Sequence, residues 1–176
     1  MMALKKMLEQ EPGEIEMLLP WYAAGTLNKR DARRVEEALA RDPELARQYA
    51  ERGVELYPTW GHFHAHLGAV AFGHGHLEDA AAELERAVAG EWHNDAEGLS
   101  RALATLAATE LRLHDYVKAQ EFAGRASVWL PQWIAPHLIR GQALQALGLS
   151  DEALREFRTT SELSGRREGG RTTSAF

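Results

Sequence analysis

Apolar side chains recur at three- and four-residue spacing along almost all of the 176-residue chain, with alanine and leucine supplying most of them. β-Branched residues are few, and no segment alternates apolar and polar positions over any length. This periodicity predicts an all-α protein. Breakers fall at short intervals, at Pro43, Pro58, Gly73 with Gly75, Gly90 with Gly98, His114-Asp115, Pro131 and Gly148. They cut the chain into helices of roughly ten to fifteen residues, the usual globular length. Ser150 and Asp151 mark a helix start, because a short side-chain oxygen can accept from first-turn amides. The end, SGRREGGRTTSAF, is polar and glycine-rich without periodicity, which predicts a disordered tail over 165–176.

Three of the predicted helices align with one another: LEDAAAELERAV (77–88), YVKAQEFAGRAS (116–127) and SDEALREFRTTS (150–161). Ala80, Leu84 and Ala87 set a small, large, small pattern that Ala153, Phe157 and Thr160 repeat, while the middle helix has Ala119, Ala123 and Ala126. Ala119 and Ala153 stand 34 residues apart, and Ala80 and Ala119 stand 39 apart, the excess falling in the loop around EWHNDAEG. The preceding helices align through Gly68, Ala107 and Gly141, and Pro131 closes the middle unit. Over residues 60–164 this pattern resembles the tetratricopeptide repeat family. The resemblance implies a tandem array of three helix-turn-helix pairs over 59–164, whose first helices, 61–73, 100–112 and 134–147, line a concave groove that holds a peptide or helix. The last pair departs from the family pattern at Thr160 and Gly165, where alanine and proline are usual.

Residues 1–58 have a different character. The pattern predicts a short apolar helix, a turn at Gly25, a helix over 31–40 and another over 43–56, with Leu18, Leu19, Trp21, Tyr22, Val35, Leu39, Leu45 and Tyr49 as their core. Ala46 lies 34 residues before Ala80, so the last of these helices is placed to stack on the array as an amino-terminal cap. The stretch LLPWYAAGTLNKRDARRVEEALARDPEL also resembles the sigma-binding domain of bacterial anti-sigma factors. Ala40 to Leu45 stand where many members carry a cysteine pair, so the resemblance implies only the zinc-free form, with a sigma factor as partner and a bacterial source.

Composition narrows the function. Twenty basic against 26 acidic side chains give a net charge of −6, which repels a phosphate backbone or an anionic membrane, so neither nucleic acid nor membrane is the expected partner. No cysteine is present, which excludes disulfides, thiolate metal sites and thiol nucleophiles. The start has too short an apolar run for a signal peptide, and no run reaches the ~18 residues of a membrane span. The expected location is the cytoplasm.

Catalytic signatures are missing: there is no GxSxG, GxGxxG or glycine-rich phosphate loop. Glu36-Glu37 and Glu83 with Glu85 diverge on a helix and read as solvated faces. No enzyme activity and no cofactor is therefore expected. Five of the eight histidines fall between 62 and 76; His62 and His66 stand one helical turn apart and, with His74 and His76 in the following turn, are the candidates for a metal site. The expected partner-binding residues are His62, His66, Arg101, Trp133 and Gln142. His62, Arg101 and Ala135 are equivalent positions near the groove mouth, and Arg101 is a forked donor suited to a carboxylate unless it pairs with Glu97. Trp133 follows the Pro131 turn as an aromatic anchor, whereas Trp129 is expected to wedge against the next repeat.

Overall fold

The computed structural model describes residues 14–23 and 27–172. Nine helices lie among the described residues: α1 (Glu14–Ala23), α2 (Lys29–Arg41), α3 (Pro43–Leu56), α4 (Gly61–His74), α5 (Leu77–Ala89), α6 (Ala96–Arg112), α7 (Tyr116–Trp129), α8 (Ile134–Ala146) and α9 (Ser150–Thr172). They pack in successive antiparallel pairs, α4 with α5, α6 with α7 and α8 with α9, as a tandem helical repeat array of tetratricopeptide-like form. The turn expected at Gly25 and the side chain of Trp21 lie outside the described residues. No helix among the described residues is long and apolar enough to cross a membrane.

Each turn inside a pair ends its first helix in the same way. Gly75, His114 and Gly148 adopt left-handed backbone at φ 81°, 64° and 78°. In each case the following amide donates five residues back, His76 to Ala71, Asp115 to Glu110 and Leu149 to Leu144, which closes the orphan carbonyls of the helix end. Glycine fills this conformation without strain at two of the three positions, and His114 holds the third.

Packing within the pairs follows one size rule. A Cβ added to Gly68 would stand 2.5 Å from Leu84 Cγ, and one added to Gly141 would stand 2.5 Å from Phe157 Cε1. In the middle pair the equivalent positions are Ala107 and Ala123, both fully buried. A large residue on the second helix thus meets glycine on the first, and a small residue meets alanine, so the helix axes stay close in all three pairs. The alanines of the middle pair are the compensated half of this rule.

The amino-terminal helices form a cluster of Val35, Leu39, Ala46, Tyr49 and Phe63, with Ile15, Leu18, Leu19 and Tyr22 packed on it. Phe63 belongs to α4, so this core is shared with the array; its ring meets Tyr49 edge-on at 5.4 Å and lies where any Cβ on Gly53 would fall. Asp42 both ends α2 and caps α3, its side chain accepting from the amides of Glu44 and Leu45, with Pro43 in the first helical position.

Two expectations fail in the fold. Residues 165–172 are helical as the end of α9 and not part of a disordered tail. Gly165, Gly169 and Gly170 weaken a helix by ~1 kcal/mol each but keep their amide donors, and no proline interrupts the segment. Trp129 is 53% exposed at the end of α7 and is not buried as a wedge; the chain leaves the helix at the neighbouring Leu130.

Candidate functional site

The inner surface of the array is built by α4, α6 and α8. At the register set by Ala80, Ala119 and Ala153, His62, Arg101 and Ala135 are equivalent, as are His66, Thr105 and Ile139, then Ala69, Ala108 and Gln142. The side chains that face inward at α4 and α6 line a groove of about 660 Å³ with Tyr22, Glu36, Trp92, Asp95 and Glu97. A second cavity of about 560 Å³ lies between α4 and the amino-terminal helices, lined by Tyr22, Glu36, Leu39, His66, Val70 and His74 among others. Tyr22, Glu36, His66 and Ala69 line both, so the two cavities form one trough.

The five residues inserted between the first and second pairs shape its mouth. Their backbone joins the turn before α4, with Glu91 N donating to Thr59 O at 2.7 Å and Gly61 N donating to Glu91 O at 3.0 Å. Trp92 is buried beneath His62, its Nε1 donating to Ala87 O at 2.8 Å. Asp95 caps α6 by accepting from Gly98 N, and its other oxygen lies 3.0 Å from His62 Nε2. His62 Nε2 is therefore engaged by Asp95 and its ring rests on Trp92, while the side chain stays on the groove wall.

His66 is partly buried, edge-on to Tyr49 at 6.1 Å. Burial, with His62 beside it, holds its imidazole below the ordinary histidine range. Burial and the adjacent Glu36 carboxylate push the Tyr22 phenol above its ordinary value. Arg101 pairs with Glu97, its NH2 2.6 Å from Glu97 Oε1, both side chains well exposed. That pair is the competing role the sequence assigned to Arg101, and it leaves the guanidinium less available to an anion.

The remaining candidates separate from this group. Trp133 stands immediately before α8 and packs on the buried cluster of Leu103, Ala104 and Ala126, which makes it partly structural. Gln142 is exposed on α8, one pair beyond the trough. His74 and His76 stand 6.2 Å apart in the turn after α4, and among the described residues no three histidine or acidic side chains converge as a metal site.

Two polar contacts were not legible from the helix-face pattern. His64 is buried, with Nδ1 2.8 Å from Glu83 Oε2 and Nε2 3.2 Å from Pro58 O. His137 has the same arrangement, with Nδ1 2.8 Å from Glu156 Oε2 and Nε2 3.1 Å from Pro131 O. Glu83 is accordingly not part of a solvated face; its side chain is 22% exposed and ties α5 to α4, with Arg86 on its other oxygen. The recurring spacing Pro-x-Trp-x-x-x-His, with glutamate nineteen residues after the histidine, is the sequence signal for this clamp. Glu110 is also buried, and burial raises its carboxyl above the ordinary range against the opposing pull of Lys118.

The sequence matches no protein-family model and no curated protein, so the anti-sigma likeness of the amino-terminal segment finds no support there. Solved structures do match. A crystal structure of MamA shares 22% identity at a TM-score of 0.66, over 94% of this chain and 86% of that one. A second crystal structure of MamA protein shares 21% identity at a TM-score of 0.62, over 89% and 86% of the two chains. The likeness spans the amino-terminal helices as well as the repeats, and at this identity it is a likeness of fold.

Proposed function

We propose that this chain is a non-enzymatic, cytoplasmic scaffold that holds a peptide or helix of a protein partner in the trough along its inner surface. The observation that carries this reading is the trough itself. It is concave, runs continuously from α6 to the amino-terminal helices, and mixes aromatic rings, small side chains and a few polar groups, as peptide grooves do. The tetratricopeptide-like fold supports the same conclusion by analogy. In this reading α1 to α3 act as the cap of the array and as one wall of the groove, with His62, His66 and Arg101 on the other wall. Trp133 and Gln142 extend the contact surface along α8.

Filling the trough tests the proposal. Ala69→Trp with Thr105→Trp adds bulk to its floor at one exposed and one partly exposed position. Polypeptides recovered with the full chain by affinity purification should be lost from this variant while its helicity is unchanged. Recovery of the same set at the same yield would place the binding surface elsewhere.

A further inference from the structure

The charge around the trough points to the kind of segment it takes. Counting histidine as neutral, its lining has three carboxylates, Glu36, Asp95 and Glu97, against one guanidinium, Arg101. Two of the carboxylates are engaged: Asp95 with His62 and the first turn of α6, Glu97 with Arg101. Glu36 has no cationic partner among the described residues. The nearby arginines of α2 are committed to other groups, Arg33 to Glu37 and Arg34 to Glu14 and Asp31. Glu36 stands where the two cavities meet, beside Tyr22 and opposite His66.

An ionised carboxylate set beside aromatic faces is the chemistry that receives a cation, by charge pairing on one side and ring contact on the other. Resting on the protein-binding reading above, we infer that the trough takes a basic segment of its partner, with a lysine or arginine side chain seated between Tyr22, Glu36 and His66. The net charge of −6 steers such a segment toward the chain. A neutral His66 adds no repulsion there, in keeping with the direction in which burial moves it.

Random peptides of about twelve residues, displayed and selected on the full chain, test this directly. The selected sequences should be rich in lysine and arginine, and their binding should weaken about tenfold in Glu36→Gln and further in Glu36→Arg, with weaker binding as salt rises. Glu36 is exposed, so neither change threatens the fold. Selected peptides that are acidic or uncharged, or that bind Glu36→Arg undiminished but lose affinity in the Ala69→Trp, Thr105→Trp variant, would overturn the basic partner and keep the groove. Peptides indifferent to that filled variant, or selection of none, would overturn both.

Discussion

His64 Nδ1 lies 2.8 Å from Glu83 Oε2, and 73 residues later His137 Nδ1 lies 2.8 Å from Glu156 Oε2. In both, the second ring nitrogen faces the carbonyl of the proline that precedes the pair. One side chain thus ties together the two helices of a pair and the turn that enters it. At the equivalent positions the middle pair has Leu103 and Phe122, an apolar contact in place of the polar one.

The two solutions are interchangeable if the clamp acts by filling the same space. His64→Ala leaves Glu83 partly buried without that hydrogen-bond partner and should cost about 1–3 kcal/mol, although Glu83 keeps Arg86. The double change His64→Leu with Glu83→Phe should be neutral or stabilising. Urea unfolding of the two variants decides; equal destabilisation in both would show that the polar contact has a role beyond packing.

The size rule within pairs makes Gly68 intolerant of even a methyl group. Gly68→Ala should destabilise by about 1–3 kcal/mol although alanine is the better helix former, because the new Cβ meets Leu84 Cγ. Adding Leu84→Ala should recover part of the loss by restoring the alanine pairing of the middle repeat. Thermal unfolding of the single and double variants is the measurement, and additive losses would contradict the rule.

His114 is the strained member of the three left-handed turn positions. His114→Gly should stabilise by about 0.5–1 kcal/mol, after loss of its exposed contact with the Tyr116 hydroxyl. A lower midpoint in denaturant for the variant would show that the contact outweighs the strain.

The pH dependence of stability follows from His66. Its folded-state pKa is depressed, so the fold favours the neutral ring while the unfolded chain still takes up a proton near pH 6.5. The stability it contributes is present above that value and is lost as pH falls through it. Unfolding midpoints at pH 7.5 and 5.5 should therefore differ more in the parent chain than in His66→Phe. An equal difference in both would remove His66 as the cause.

Much of the fold was legible because repetition made it so. Ala80, Ala119 and Ala153 keep their register through a five-residue insertion, and backbone breakers recur at Gly75, His114 and Gly148. The site was less legible, because helix-face periodicity says which side a residue takes and not what it meets. His62 and Arg101 do face the trough, but Asp95 and Glu97 engage them, and Trp133 rests on the core. Glu36 was read as part of a solvated face and is exposed, but nothing in its own helix reveals that it also lines a cavity between α2 and α4. Trp129 failed for a related reason: its place in the second helix of the middle pair suggested a wedge against the next repeat, while at the last residue of α7 it stays 53% exposed.

Site-specific photo-crosslinking tests the central claim most directly. A benzophenone side chain placed at Thr105 lies within the trough, and one at Val117 is 59% exposed on α7 and outside both cavities. In cells expressing the full chain, the expected result is discrete protein adducts from position 105 that disappear when Ala69→Trp is added, with none from position 117. Adducts from position 117 alone, or adducts from 105 that survive the filled groove, would contradict a partner held in the trough.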